Sequence, residues 1–257
     1  MDTIQDSDSC GGGSIPSRRT IGVIMKKIFI FNDTHGNAES IKALLPKIEE
    51  LQPDYIFSAG DLIGIGPSHN EVLEIVTKLP NFYSVKGNHE AYYLDGYRNP
   101  LAALQENHHN WIRNTMDKKY DEFLNSLPYV RYFDIEDLKV ALIHYPRLNN
   151  RFITIEENKS YEKLSSIFSE IDADIIIFGH DHYGSIVYGV KNFINIGTLG
   201  CTNLNIGHAK AALLSIDGKK FNLEQFLIPY DVTPEIDKLD NQNVPDKDFI
   251  KKVFIKK

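Results

Sequence analysis

Residues 174–182 read Asp-Ile-Ile-Ile-Phe-Gly-His-Asp-His, an apolar run that ends in groups able to bind metal. A short and nearly continuous apolar run is typical of a strand that is buried on both faces. If the extended conformation continues, His180 and His182 face the same side of the sheet, because side chains alternate along a strand. Asp181 would then face the other way. A His-x-His pair can also be a hydrogen-bonded surface feature, so its role depends on what lies beside it.

The composition indicates a globular protein without a strongly basic surface. The chain has 257 residues, of which 42% are hydrophobic, and a formal net charge of -7. This length suits one large α/β domain or two small ones. The acidic balance argues against broad binding of nucleic acid or anionic membranes, which needs a basic face. Cys10 and Cys201 are too few for a disulfide framework and match no zinc spacing, which favours a reducing, cytoplasmic location.

Three segments are expected along the chain. Residues 1–24 are rich in Ser, Gly and Asp without periodicity, and we expect a disordered N-terminal extension upstream of a natural start at Met25. Residues 25–232 are expected to form one domain, since no internal repeat or linker interrupts them. The charged segment 233–257 is expected to be a loosely docked tail. The apolar patch at residues 21–25 is too short for a signal-peptide core or a membrane span.

Apolar strands alternate with helical patterns from residue 27 onward. The predicted strands of this part are 28–31, 55–57, 82–85 and 140–143, and the predicted helices are 38–51, 70–79 with Asn70 as its N-cap, and 161–171. Residues 91–127 interrupt the alternation with an aromatic and polar helical region. Four later strands are predicted to form a β-meander that closes a second sheet, at residues 185–190, 193–196, 210–216 and 221–228.

Polar residues stand at the ends of five predicted strands. In open α/β sheets, the carboxyl ends of strands are where ligands bind. Carboxylate, amide and imidazole groups suit Mn²⁺ or Fe better than a closed structural zinc site, which favours thiolates. Too many such groups are present for one ion that leaves room for substrate, and two metals about 3.5–4 Å apart that share a carboxylate fit better. The residues are Asp33, His35, Asp61, Asn88, His89, His144, His180 and His182.

The order of these motifs resembles the signature of the calcineurin-like metallophosphoesterase superfamily, in particular its small prokaryotic phosphodiesterase-like branch. The resemblance extends from about residue 28 to about residue 197. It implies an α/β fold, a two-sheet αββα sandwich with helices on the outer faces. The matching pieces are Asp33-Thr34-His35-Gly36-Asn37, Gly60-Asp61, Gly87-Asn88-His89-Glu90, His144 and Gly179-His180-Asp181-His182.

The resemblance also implies a role for each motif residue. Asp61 would bridge two metal ions, and His89 would donate a proton or stabilise the transition state. Glu90 would not bind metal itself but would contact the residues that do. Mn²⁺ is the expected ion, with Fe, Ni or Zn as alternatives. The implied reaction is attack of a metal-activated hydroxide on a small-molecule phosphate ester. The first ion would be held by Asp33, His35, Asp61 and His182, and the second by Asp61, Asn88, His144 and His180.

Three further residues are candidates for substrate binding. Asn37 either contacts the substrate or caps the helix that follows it. Arg147 and Arg151 either bind a phosphate or carboxylate through their guanidinium groups or belong to a solvated loop. The aromatic region 91–127 either caps a pocket or packs in the core. The histidines outside the motifs are expected to be structural, namely His69, His108, His109 and His208.

Several functions remain open at this point. A phosphatase or phosphodiesterase for a small molecule is favoured, and hydrolysis of a dinucleoside polyphosphate is an alternative. A protein Ser/Thr phosphatase is disfavoured, because no arginine follows Gly60-Asp61 within a few residues. A DNA nuclease would need a capping domain and a basic path for the strand. A non-catalytic scaffold that binds a protein partner would be expected to have lost ligands or His89, and all are present.

Overall fold

The computed structural model describes residues 25–96, 106–201 and 207–255. The expected N-terminal extension, residues 1–24, lies outside the described residues. Within those ranges two five-stranded sheets pack face to face, with helices against their outer faces. The predicted αββα sandwich is therefore confirmed.

The first sheet brings the amino-terminal strands together with the last two strands. Its strands β1, β2 and β3 are parallel, so their carboxyl ends meet at one edge. β11 runs antiparallel to both of its neighbours, β1 and β12. In spatial order the strands are β12 (Lys220–Pro229), β11 (His208–Asp217), β1 (Lys26–Phe31), β2 (Tyr55–Ser58) and β3 (Phe82–Ser84).

The second sheet is built from the middle of the chain. Its central strands β5, β8 and β10 are parallel, and antiparallel strands flank them on both sides. In spatial order the strands are β4 (Val130–Ile135), β5 (Leu138–Ile143), β8 (Ile175–Phe178), β10 (Asn192–Asn195) and β9 (Ser185–Val187). A separate two-stranded ribbon follows β5 and consists of β6 (Arg147–Leu148) and β7 (Arg151–Phe152).

The helices of the described ranges are all short, and none is long and apolar enough to cross a membrane. Asn70 is not the N-cap of α2, which begins one residue earlier. Its side chain instead donates to the Thr115 carbonyl (2.7 Å) and accepts from the Asp117 N–H (2.8 Å). The helices are α1 (Ala38–Leu51), α2 (His69–Val76), α3 (Asn88–Asp95), α4 (Glu106–Thr115), α5 (Asp121–Ser126), α6 (Tyr161–Ile167), α7 (Thr233–Asn241) and α8 (Lys247–Val253).

Each central strand contributes to two apolar layers, because its side chains alternate across the sheet. In β1, Ile28 and Ile30 lie in the core between the sheets. Phe29 and Phe31 point the other way and pack with apolar residues of α1 and α2. Burial on both faces explains why this strand is apolar at every position from Ile28 to Phe31.

The prediction of one β-meander in the second sheet is wrong. β9 and β10 do lie in that sheet, but β11 and β12 form a hairpin in the first sheet, where Ile30 of β1 lies opposite Ala212. The apolar pattern of a strand predicts its conformation but carries no information about its partner. β4 was absent from the predicted strands because its side chains are mostly only half-buried or exposed.

The C-terminal segment is not a loosely docked tail, and that prediction is wrong. Helices α7 and α8 account for most of residues 233–253, and Leu239 of α7 is fully buried. Val244 and Ile250 join Leu239 in an apolar cluster. Apart from Glu235, the charges that suggested a loose tail lie at or near the surface, for example in the ion pair between Lys251 and Asp240 (2.7 Å).

A buried carboxylate also attaches this segment to the rest of the domain. Glu235 of α7 accepts hydrogen bonds from the N–H groups of Ala38 (3.1 Å) and Glu39 (3.3 Å) at the start of α1. Its other partners include the Ser68 hydroxyl (2.7 Å). A negative group at this position satisfies free N–H groups of the helix and complements the helix dipole.

Leu239→Ala should lower the free energy of unfolding by about 2–5 kcal/mol, because it leaves a cavity in a fully buried site. Leu227→Ala is the matched control. Leu227 is 57% exposed, so its truncation should change stability by less than about 0.5 kcal/mol. Urea unfolding followed by circular dichroism measures both. Equal effects of the two substitutions would contradict the docking of α7.

Candidate metal centre

The predicted site residues meet where the carboxyl ends of the two sheets lie side by side. Strand ends in the first sheet supply the two aspartates, and strand ends in the second sheet supply histidines. Motifs that are far apart in sequence therefore converge at one edge of the sandwich. The residues follow β1 (Asp33, His35), β2 (Asp61), β3 (Asn88, His89), β5 (His144) and β8 (His180, His182).

A buried asparagine links the two sheets directly beneath the site. Asn32 Nδ2 donates to the Phe178 carbonyl (3.1 Å), and Asn32 Oδ1 accepts from the Ala59 N–H (3.0 Å). Phe178 ends β8 in the second sheet, and Ala59 follows β2 in the first. This role of Asn32 was not predicted. The feature that marks it in the sequence is its position as the first polar residue after a buried strand.

One group of potential ligand atoms surrounds His35. Its Nε2 atom lies 2.8 Å from His182 Nε2, 3.9 Å from Asp33 Oδ1 and 3.8 Å from Asp61 Oδ2. Two imidazole nitrogens and two carboxylates thus face one another at distances that a metal ion can bridge.

A second group surrounds His144. Its Nε2 atom lies 3.0 Å from Asn88 Oδ1, 3.2 Å from His180 Nδ1 and 3.3 Å from Asp61 Oδ2. Asp61 Oδ2 therefore faces both groups, and the pair His180 and His182 is divided between them. The expected division of the pair agrees with this arrangement, while metal binding itself stays a prediction.

The two histidines do not reach the site along an extended strand, contrary to the expectation. β8 ends at Phe178, and His180 has a left-handed backbone with φ of 70°. Asp33, His35 and Asp61 are left-handed too, with φ of 51°, 51° and 52°. Such backbone costs about 1–3 kcal/mol in a non-glycine residue and persists where the surroundings enforce it.

Hydrogen bonds from neighbouring loops hold these turns. Asp33 Oδ1 accepts from the His180 N–H (3.0 Å), and the Asp33 carbonyl accepts from the Thr198 hydroxyl (2.7 Å). Asn195 Nδ2 donates to the Asp181 carbonyl (2.9 Å) between the two histidines. The stretch from Asn195 to Thr198 therefore positions candidate ligands.

Glu90 holds the backbone around Asp61 through hydrogen bonds, which agrees with the supporting role that the resemblance implies. This buried carboxylate accepts from the N–H groups of Asp61 (2.9 Å), Leu62 (2.7 Å) and Gly87 (2.8 Å). These bonds fix the backbone at Asp61, Leu62 and Gly87. Glu90 was predicted from its motif alone.

His89 stands beside the first group. Its backbone N–H donates to Asp61 Oδ1 (2.9 Å), and its ring centroid lies 4.9 Å from that of His35. Gly64 makes room for the ring, because a Cβ atom there would lie 2.2 Å from His89 Nδ1. Gly64 also has φ of 102°, which favours glycine.

Burial and mutual charge shift the pKa values of the site. Burial raises the pKa of Asp33 to about 8 and lowers that of His180 to about 3. Burial would also lower the pKa of His144, but the charges of Asp61 and Asp33 and the hydrogen bonds to Asp61 and the Ala59 carbonyl together outweigh it and raise this pKa to about 9. At neutral pH these shifts favour the protonated form of His144 and the neutral form of His180.

The donor set fits divalent metal ions. Asp33 Oδ2 is buried and has no hydrogen-bond partner among the described residues, and a bound cation would satisfy it. His144 Nδ1 lies 2.7 Å from the Ala59 carbonyl, which orients Nε2 toward the site as metal-ligating histidines require. Mixed oxygen and nitrogen ligands suit Mn²⁺ or Fe.

Cys201 is a further potential ligand that the sequence analysis missed. Its Sγ atom and ligand nitrogens of His35 and His182 lie within 4.8 Å of one another. The thiol is buried. No spacing rule could identify it, because no second cysteine stands nearby in the sequence.

A cleft of about 850 Å³ opens over both groups of ligand atoms. His108 and His109 of α4 line it, so the aromatic region 91–127 supplies part of its wall although these histidines were expected to be structural. His69 is structural as expected, with Nε2 lying 3.0 Å from the Thr115 hydroxyl. Residues 97–105 of that region lie outside the described residues.

The three candidates for substrate binding do not line this cleft. Asn37 is buried and caps α1, because its Oδ1 accepts from the Ser40 N–H (3.1 Å). The Arg147 guanidinium lies 3.4 Å from the centroid of the Tyr129 ring. Arg151 is exposed in the ribbon. The structural alternatives for these residues agree with the geometry.

Comparison with known proteins places this arrangement in a family. The sequence model described as calcineurin-like phosphoesterase matches residues 26–184. An uncharacterised protein of Methanocaldococcus jannaschii is 26% identical over 87% of this chain and 96% of its own length. Serine/threonine-protein phosphatase 2 of Escherichia coli is 25% identical over 67% of this chain and 88% of its own. The crystal structure of a hypothetical protein from Pyrococcus horikoshii OT3 has a TM-score of 0.76 at 17% identity, covering 90% and 98% of the two chains.

Metal binding should release protons, because the raised pKa values of His144 and Asp33 favour their protonated forms at neutral pH, whereas the ligand forms are neutral imidazole and ionised carboxylate. The apparent affinity for Mn²⁺ should therefore rise as the pH increases from about 6.5 toward the His144 pKa of about 9. Calorimetric titration in buffers of different ionisation enthalpy measures the protons released. His208→Gln, which changes an exposed histidine, should release the same number. Heats that do not depend on the buffer would contradict the prediction.

Proposed function

The chain belongs to the calcineurin-like phosphoesterase family, and we propose that it hydrolyses a small-molecule phosphate ester with two divalent metal ions. The proposal depends on one observation above all. Asp61 Oδ2 lies 3.3 Å from His144 Nε2 and 3.8 Å from His35 Nε2, so one carboxylate can serve two ions. We assign Mn²⁺ as the preferred metal. One ion is assigned to Asp33, His35, Asp61 and His182, and the other to Asp61, Asn88, His144 and His180.

When bound, such ions supply positive charge to the phosphate oxygens and lower the pKa of a water molecule. His89 supplies a proton to the leaving alkoxide oxygen. Burial lowers the pKa of this imidazole, and the negative charge of a bound phosphate favours the protonated form again. The hydrogen bond from the backbone N–H of His89 to Asp61 Oδ1 holds the residue beside the candidate ligands.

The size of the cleft supports a small-molecule substrate over a folded protein. Helices α4 and α8 bound a space of about 850 Å³, which is within the range of about 300–1,000 Å³ for small-ligand pockets. We also propose a cytoplasmic location, because Cys201 is a free thiol.

The competing function is a non-catalytic scaffold that binds a protein partner. Retention of every candidate ligand and of His89 favours an enzyme. Mn²⁺-dependent hydrolysis of nitrophenyl phosphate and of its bis ester tests the choice, and also separates monoesterase from diesterase activity. If neither ester is hydrolysed with any divalent metal, the scaffold is the better description.

Asp61→Asn should lower metal affinity by more than about 100-fold, since loss of a group that merely orients a ligand already costs about 10–100-fold. Turnover should be abolished with it. Metal content after dialysis and the rate of nitrophenyl phosphate hydrolysis measure the two effects. Asp217→Asn, at an exposed position, should change neither. An Asp61→Asn variant that retains two ions would rule out the bridging role.

His89→Ala should retain the metal ions and lower kcat by about 10²–10⁴-fold, as expected for loss of a general acid. Metal content is decisive here, because a His89 ring nitrogen also lies within 4.8 Å of ligand atoms of His35 and Asp61. His208→Ala is the control and should behave as the unsubstituted protein. Loss of metal from His89→Ala would instead make His89 a ligand.

A further inference from the structure

The cleft above the candidate ligands is much larger than a phosphate group. Candidate metal ligands such as His35, Asp61 and His180 line one part of it. Six of its other lining residues are apolar or aromatic, namely Ile65, Ile155, Tyr183, Phe249, Ile250 and Phe254. A phosphate beside the ligand atoms therefore fills only a fraction of the volume of about 850 Å³. The remaining space is available to the organic group that the phosphate esterifies.

This remaining space has an aromatic wall, defined here as Tyr183, Phe249 and Phe254, all of which line the cleft. Phe249 lies in α8, and Phe254 follows the last residue of that helix. The rings of Phe249 and Phe254 lie 5.9 Å apart, and the Phe254 ring lies 6.3 Å from that of His182. A continuous series of rings thus leads from a candidate metal ligand toward solvent.

Two rings of the aromatic wall are exposed to solvent. Tyr183 is 70% exposed and Phe249 is 53% exposed. Large apolar side chains that are exposed together beside a cleft are typical of ligand sites, because a bound apolar group removes them from water. The exposed faces of these rings can pack against a flat ring of a ligand.

The charge of the cleft restricts what that ring can carry. Among the described residues that line it there is no Lys or Arg, and its carboxylates are those of Asp61, Asp181 and Asp246. Asp181 is paired with Lys159 at 2.8 Å. Asp246 immediately precedes α8, the helix that carries Phe249, and lines the same cleft. A second negative group on the ligand would be repelled there.

We propose that the substrate is a phosphate ester of an uncharged aromatic group, and that this group packs against Tyr183, Phe249 and Phe254. The proposal rests on the proposed function, because it places the phosphate beside the candidate metal ligands. Burial of a ring against the aromatic wall favours such an ester over a small alkyl ester. Dinucleoside polyphosphates are disfavoured, because their additional phosphates would approach Asp246 without a cationic partner from the cleft.

The test compares phenylphosphonate with methylphosphonate, which share a phosphonate group and have no ester bond to hydrolyse. Binding to the Mn²⁺-loaded full-length protein is measured by calorimetry. Phenylphosphonate should bind about tenfold more tightly. Phe249→Ala and Tyr183→Ala should each reduce that preference about three- to tenfold. Neither should change the affinity for methylphosphonate by more than about twofold.

The matched control is Tyr188→Ala. Tyr188 is 58% exposed and its ring lies 6.0 Å from that of Phe221, outside the cleft. It should leave the affinities for both phosphonates unchanged. Thermal unfolding of all three variants checks that the half-exposed side chains are removed without loss of the fold.

A third ligand tests the charge argument. 4-Carboxyphenylphosphonate should bind more weakly than phenylphosphonate, and Asp246→Asn should restore most of the difference. Asn is suitable at this position, because Asp246 has φ of 59° and Asn tolerates left-handed backbone. A carboxyphenyl compound that binds as tightly as the phenyl compound would overturn the requirement for an uncharged group.

Other outcomes overturn the proposal as a whole. These are equal affinity for the phenyl and methyl compounds, no binding of either, or a phenyl preference that survives both Phe249→Ala and Tyr183→Ala. Turnover is measured separately. If no phosphate ester is hydrolysed but the phenyl preference depends on the aromatic wall, the proposed function fails and the aromatic site stands. Hydrolysis without any phenyl preference leaves the proposed function and rejects the aromatic site.

Discussion

The geometry of the site depends on the hydrogen-bonded link that Asn32 makes between the two sheets. The core between the sheets is apolar, and apolar packing is not directional. The bonds from Asn32 to Phe178 and Ala59 are directional, and they lie at the edge where the sheets supply candidate ligands. His35 and His182 follow strands of different sheets, so the distance of 2.8 Å between their Nε2 atoms depends on how the two sheets are positioned relative to each other.

The same edge concentrates features that reduce stability. Burial raises the pKa of Asp33 to about 8 and that of Glu90 to about 7, which means that their charged forms are disfavoured there. An uncompensated buried charge costs several kcal/mol, and left-handed backbone at Asp61 and His180 adds to the cost. Buried charge and strained backbone that lower stability are typical of functional sites.

The candidate ligands could be predicted from the sequence because each follows a strand whose apolar pattern is local. The partner of a strand is not a local property, which is why β11 and β12 were expected in the wrong sheet. The aromatic wall was not predicted either, since Phe249 and Phe254 stand among lysines in a segment that looks like a solvated tail. Asn32 and Cys201 each contribute as an isolated residue without a motif around it. An isolated residue cannot be recognised from the sequence before the fold is known.

The pairing of β1 with β11 determines when the site can form during synthesis. β1 carries Asp33 and His35 at its end, yet its antiparallel neighbour, with Ala212 opposite Ile30, emerges from the ribosome only after most of the chain has been made. Contacts this distant in sequence form late. Until then one edge of β1 is open to pairing with other chains. A nascent chain interrupted before β11 would therefore be prone to aggregation. If it ended before Thr198, it would also lack the hydrogen bonds from Thr198 and Gly200 that hold Asp33.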